Sequence, residues 1–263
     1  MRQEDRLGQI LRKLNEHGSV GVGVLAAELQ VSEASVRRDL HLLAQQQLLT
    51  RTHGGAVASG VLYELPMRYR GGQHHQAKLA IAAHVDTVVP ADATSVGLNG
   101  GTTTTEVARA LVRRPHLRIV TNALNIAAEL AVRANIELVV CGGSARSESY
   151  ELVGPLAEAT LANINVDVAV LGVDGVSPTA GFTTHHEVEA NTDRALVRAA
   201  ERTIVVADSS KIGRRTFAKI VDIDAVSDIV TDAQVTDADV AALERLGPVV
   251  HVVYPSITNE HDR

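Results

Sequence analysis

Tryptophan is absent, and four tyrosines and two phenylalanines are the only aromatic rings besides histidine in 263 residues. The core must therefore be built from Ala, Val, Leu and Ile. Readers of single strands or RNA stack bases on exposed rings, and this chain has almost none to offer. Cysteine is reduced to Cys141, which excludes an intramolecular disulfide framework and any multi-cysteine zinc or iron–sulfur centre. No run approaches the roughly 18 apolar residues needed to span a bilayer. The opening residues Met1 to Arg6 lead into no uninterrupted apolar segment, so no signal peptide is expected. These absences predict a soluble, intracellular chain with no membrane partner.

Charge of one sign is also lacking, since the net charge is only −6. Residues 1–58 sum to +1 and the remainder to −7. A strongly basic body, as a nucleoid-type architectural protein would need, is excluded; any DNA contact must come from a locally basic face of the head. The length suits two domains better than one.

The head reads as three short helices. Leu7, Ile10, Leu11 and Leu14 form one apolar stripe ending at Gly18, and Val22, Leu25, Ala26 and Leu29 form a second. Ser32 is a good N-cap for a third, whose inward face is Val36, Leu40 and Leu43. A 100° rotation per residue leaves Ala34, Arg37, Arg38, His41 and Gln45 pointing outward, with no carboxylate among them. Such a face suits a helix laid in a major groove. Leu48 to Ala56 alternates and turns on Gly54 and Gly55 as a small wing would. The candidate DNA-contacting residues are Ser32, Ala34, Ser35, Arg37, Arg38, His41 and Gln45, with Arg51, His53 and Gly54 from the wing.

Residues 59–74, with Gly60, Pro66, Gly71 and Gly72, predict a hinge between a head at 1–58 and a body at 75–263. In the body, strand-like segments near 94–98, 117–121, 136–140, 166–173, 203–207, 226–230 and 249–253 alternate with helical ones. That alternation predicts an α/β fold with a mostly parallel, Rossmann-like sheet. Asn99-Gly100-Gly101-Thr102-Thr103-Thr104-Thr105 follows the first strand. Glycines let backbone N–H groups approach an anion, and threonine hydroxyls add donors at the positive helix end. The alternative is a tight turn with a Thr cap. The run is neither GxGxxG nor a P-loop. Asn122, Gly142-Gly143, Asp174-Gly175 and Asp208 to Lys211 follow later strands, and all fall at carboxyl ends, where ligands bind. Together they suggest a small polyhydroxy phosphate, with Lys211 as an anion anchor or a plain surface charge. His185-His186-Glu187, with Glu189 close by, could be metal ligands, a solvated cluster opening a helix, or, through His186 or Glu187, an effector contact; spacing fixes no third ligand.

The segment Val31-Ser32-Glu33-Ala34-Ser35-Val36-Arg37-Arg38-Asp39-Leu40, then Arg51-Thr52-His53-Gly54-Gly55-Ala56, resembles the DNA-binding head of the DeoR family of bacterial transcription regulators. The family pattern is V-S-x-x-T-I-R-R-D-L, then R-x-H-G-G-A. Ser35 and Val36 replace Thr and Ile, keeping the hydroxyl and the β-branched contact. The body resembles the family's sugar-phosphate sensor through Gly101-Thr102-Thr103, Thr121-Asn122, Gly142-Gly143, Gly154, Asp174-Gly175 and Asp208-Ser209-Ser210-Lys211. One departure is Asn99-Gly100, where the family often has Asp two residues before Gly-Thr-Thr. Tyr150 to Leu156 leans toward the branch answering galactitol or galactosamine phosphates. The resemblance implies a winged helix-turn-helix followed by a ribose-5-phosphate-isomerase-like sensor. It also implies a repressor relieved by a sugar phosphate, binding operator DNA as a dimer or tetramer, without cofactor, metal or catalytic residue. The effector set is then Asn99, Gly101, Thr102, Thr103, Asn122, Gly143, Asp174, His186, Glu187 and Lys211. The rival is an isomerase-like enzyme, in which Asp174 and Lys211 would transfer a proton.

Overall fold

The computed structural model describes residues 2–58 and 65–254. The chain divides into two compact units, Met1–Gln73 and His74–Arg263. The first holds α1 (Gln3–His17), β1 (Ser19–Gly21), α2 (Val22–Leu29), α3 (Glu33–Gln45), β2 (Leu49–Arg51) and β3 (Gly55–Ala58). The three strands pair antiparallel in the order β1-β3-β2, with β2 and β3 as the wing.

The predicted stripes are the core: Leu7, Ile10, Leu11, Leu14, Leu25, Leu29, Val36, Leu40 and Leu43 form one buried cluster. Gly18 stops α1 in a left-handed conformation at φ 71°, its N–H donating to Leu14 O. Ser32 caps α3, its side chain accepting from Ser35 N–H. Two features go beyond the sequence reading. Asp39 is buried, because Arg6 from α1 grips it with two guanidinium nitrogens. Tyr69, within the expected hinge, packs into the head core, and its carbonyl lies so close to Gly8 that a Cβ there would meet it at 2.3 Å. Burial of this ring draws residues 65–73 into the first unit; positions 59–64 of that hinge lie outside the described residues.

The second unit runs α4 (His75–Val88), β4 (Ser95–Leu98), α5 (Thr102–Leu111), β5 (Leu117–Thr121), α6 (Leu124–Leu130), β6 (Ile136–Val140), β7 (Ser144–Arg146) and β8 (Glu151–Val153). It continues with α7 (Pro155–Leu161), β9 (Val166–Gly172), β10 (Gly175–Ser177), β11 (Gly181–Thr184), α8 (Glu187–Arg198) and β12 (Ala200–Val206). The last elements are β13 (Ala218–Val221), β14 (Asp228–Asp232), α9 (Asp237–Glu244) and β15 (Val249–Val253).

Seven strands form one parallel sheet in the order β15-β14-β12-β9-β4-β5-β6. Its strands are apolar on both faces, as a sheet covered by helices requires. Ile119, Val168, Val170, Ile204 and Val206 face one cluster, shared with α4, α5 and α6. Val120, Ala169, Leu171 and Val205 face the other, shared with α7, α8 and α9. The chain leaves β4 toward β5 and β6, then returns through β9 on the other side of β4. Strand order therefore reverses between β4 and β9, the point at which sheets of this kind place a ligand crevice. Two small antiparallel additions, β7-β8 and β10-β11-β13, were not foreseen and flank the carboxyl ends.

Candidate functional site

In the head, Ser32, Ala34, Arg37, Arg38, His41, Gln45, Arg51, His53 and Gly54 are exposed, and Ser35 is half-buried. Arg38 donates to Ser35 Oγ at 3.2 Å. Helical rotation omitted one group from this face: the exposed Glu33 carboxylate pairs with Arg37 at 2.6 Å. The face remains basic, but it carries an acid.

In the second unit the candidate crevice of the switch point is bounded by the loop after β4, the loop after β9 and α8. Asn99 is buried and saturated: its amide donates to Gly172 O at 2.9 Å and Asp193 Oδ1 at 3.1 Å, and its Oδ1 accepts Gly172 N–H at 2.8 Å. It staples the two loops together. Gly101 caps α5, and the Thr104 and Thr105 hydroxyls turn back onto its carbonyl at 3.1 and 2.6 Å. The hydroxyls of Thr102 and Thr103 have no hydrogen-bond partner among the described residues, and both lie in the first turn of α5, where backbone N–H groups point outward.

Asp174 and Lys211 meet at 3.4 Å, both largely buried, and Thr184 Oγ1 donates to Asp174 at 3.3 Å. Asn122 donates to Leu152 O at 3.2 Å and to Glu151 Oε1 at 3.4 Å. Gly143 lies against the backbone of Val153, where a Cβ would come within 2.7 Å of the carbonyl oxygen; it serves hairpin packing here. His186 and Glu187 are exposed at the opening of α8, with His186 Nδ1 accepting Val188 N–H as the cap. No group of three His, Cys, Asp or Glu side chains suited to a metal occurs among the described residues.

Sequence reasoning missed Glu151 and Asp193 among the acids at the crevice floor, and named Glu189 only beside a possible metal cluster. Glu151, from β8, accepts the Gly100 N–H at 2.7 Å. Asp193 and Glu189 come from successive turns of α8, and Arg146 from β7 pairs with Glu189 at 3.0 Å. Burial, then the neighbouring Asp193 and Glu189 carboxylates, holds the Glu151 carboxyl well above the usual range. Burial, then Glu189, does the same for Asp193, although the Asn99 amide opposes it. A helical projection could have found two of these, since Glu189 and Asp193 share the inward side of α8 with Leu196. Cys141 is buried, and burial pushes its thiol up to about 11, the setting of an inert core cysteine.

Comparison with known proteins matches residues 6–59 to the DeoR-like helix-turn-helix domain and residues 73–233 to the DeoR C-terminal sensor domain. The chain belongs to the DeoR family. An Escherichia coli O157:H7 protein named for repression of the aga operon is 33% identical over 253 residues, covering 95% of this chain and 93% of that protein. The glycerol-3-phosphate regulon repressor of Escherichia coli K12 is 31% identical, covering 89% and 92%. Transcriptional repressor AccR of Agrobacterium fabrum is 34% identical, covering 88% and 90%. Among solved structures, ribose 5-phosphate isomerase A from Methanocaldococcus jannaschii matches 53% of this chain and 55% of its own at 20% identity and a TM-score of 0.39. That likeness is too distant to carry any property across. With both DeoR domains in order, the chain is a DNA-binding transcriptional repressor of the DeoR type, and no helix among its described residues is long and apolar enough to cross a membrane.

Proposed function

We propose that this DeoR-type repressor is released from its operator by a phosphorylated sugar or polyol bound in the crevice between β4 and β9. The observation that carries the reading is the first turn of α5 at the switch point, where the Thr102 and Thr103 hydroxyls have no hydrogen-bond partner among the described residues. A phosphate monoester suits those N–H groups and hydroxyls, and Lys211 supplies a cation. The buried carboxyls and the Asn122 amide suit the hydroxyls of the remaining ligand. Names among the relatives, for the aga operon and the glycerol-3-phosphate regulon, support a sugar or polyol catabolic operon as the target. We read the protein as a non-enzymatic cytoplasmic regulator acting as a dimer or tetramer, because one head reads too few base pairs for useful specificity. The reading divides the chain into a head, a linker and a sensor beginning near residue 75.

A panel of sugar and polyol phosphates with their unphosphorylated parents tests this. The cognate phosphate at a hundredfold excess over its Kd should stabilise the protein by about 2.7 kcal/mol, visible as a thermal shift. It should release operator DNA and be recovered unchanged, and Lys211→Ala or Thr102→Val should abolish the shift. Equal binding of the unphosphorylated parent would refute the phosphate assignment. Turnover of the ligand without any effect on DNA would favour an isomerase-like enzyme.

A further inference from the structure

The recognition helix carries one exposed acid, and its position is specific. Glu33 lies in the first turn of α3, and its Oε2 accepts from Arg37 Nη2 one turn later at 2.6 Å. The Arg37 and Glu33 side chains remain 58% and 52% exposed. The other acid of α3, Asp39, is 1% exposed and turned onto Arg6. Arg38 is held differently, through the Ser35 hydroxyl. The two adjacent arginines are thus aimed by different groups, Arg37 by a carboxylate and Arg38 by a hydroxyl.

An exposed ion pair one helical turn apart adds little to folding stability, so stability does not account for it. Its charge is a liability on a surface that approaches phosphates, because each acid there weakens sequence-independent attraction. What the pair does supply is orientation. A free arginine samples many rotamers, whereas a guanidinium bound by a carboxylate on the same helix face has its plane restricted before DNA arrives. A planar fork held in advance loses less entropy when it donates to O6 and N7 of guanine.

We propose that Glu33 is a positioning residue for base reading: it orients the Arg37 guanidinium toward a guanine, raising sequence discrimination while lowering affinity for unrelated DNA. The inference rests on α3 being the helix that enters the major groove.

The test uses the full chain and an operator selected from a random duplex library. Binding is measured to that operator, to every single-base-pair variant of it, and to an unrelated duplex at the same salt. Glu33→Ala should bind the unrelated duplex as tightly as the parent or more tightly, while the ratio of operator to unrelated binding falls about tenfold. The lost preference should fall on the base pair that Arg37→Ala also relaxes. The double variant should match Arg37→Ala alone, and Glu33→Gln, which keeps an acceptor, should retain part of the preference. Circular dichroism and melting of Glu33→Ala should match the parent, since Ser32 still caps α3. Equal changes on operator and unrelated DNA, or additive losses in the double variant, overturn the proposal. If Arg37→Ala relaxes one base pair and Glu33→Ala does not, the positioning role fails while α3 remains the reading helix. If Arg37→Ala and Arg38→Ala both bind as the parent does, the assignment of α3 fails and this inference with it.

Discussion

Removing Arg6 should destabilise the head and leave the sensor unchanged. Asp39 is 1% exposed, and its carboxylate is held by Arg6 Nε and Nη2, the latter at 3.0 Å, with the Gln3 amide at 3.3 Å. This grip ties α1 to the inner side of α3. Arg6→Ala leaves a buried carboxylate without its cation, a change that costs about 3–5 kcal/mol in comparable pairs. A unit of 73 residues has, at roughly 0.05–0.15 kcal/mol per residue, about 4–11 kcal/mol of stability in total. The loss is therefore at least about a quarter of the whole and reaches all of it at the low end. Hydrogen exchange on the full chain reads this directly, because 3 kcal/mol multiplies the open population by roughly 150. Core amides of α1 and α3 should exchange faster by at least that factor, and operator binding should fall with them. Peptides from residues 75–254 should be unchanged. Replacing both partners, Arg6→Met with Asp39→Leu, should restore most of the protection, since an apolar pair carries no desolvated charge. Arg6→Ala exchange within about threefold of the parent would refute the argument, as would a double variant no better than the single one.

Gly100→Ala should destabilise the sensor by about 1–3 kcal/mol, because the new Cβ would lie 2.3 Å from Glu151 Cγ. In urea unfolding, Glu151→Ala in the same chain should recover most of that loss, and fully additive losses would refute the clash. The raised Glu151 and Asp193 carboxyls set a pH dependence. Between the ordinary carboxylate range and their raised values, the folded state keeps protons that the unfolded chain has released, so their contribution to stability falls as pH rises. Asp193→Asn should therefore raise the urea midpoint at pH 7 by more than at pH 4.5; the reverse order would contradict the assignment.

What was legible in the sequence follows from length and period. The seven strands of the large sheet announced themselves because runs such as Val168 to Leu171 and Ile204 to Val206 are apolar at every position, a pattern that demands cover on both faces. The head helices were legible because a stripe at 3.6-residue spacing can bury only one way. Strands β7, β8, β10, β11 and β13 span three or four residues and are interrupted by Ser, Thr, Gly, Arg, Glu or Lys, too short for any period to stand out. Buried charge was invisible for a different reason. Asp39, Glu151, Glu189 and Asp193 read as surface residues until the partner that admits each is known, and Arg6 lies 33 positions from Asp39 while Gly100 lies 51 from Glu151.

The candidate sensor site divides along the same line. Gly101, Thr102, Asp174 and Lys211 sit where every α/β sheet with this strand order places its loops, so a motif and a topology suffice to point to them. Those residues suit a phosphate, which many ligands share. The groups beside them, Glu151 and Arg146 from the β7-β8 hairpin and Glu189 and Asp193 from α8, arrive by tertiary contacts among short or amphipathic elements. In the proposed sensor, the part common to all phosphates is thus written in local sequence. The part facing the sugar depends on long-range packing. The loop is specified by neighbours in the chain, whereas the crevice floor is assembled from residues up to 94 positions apart, as in the Asn99–Asp193 contact.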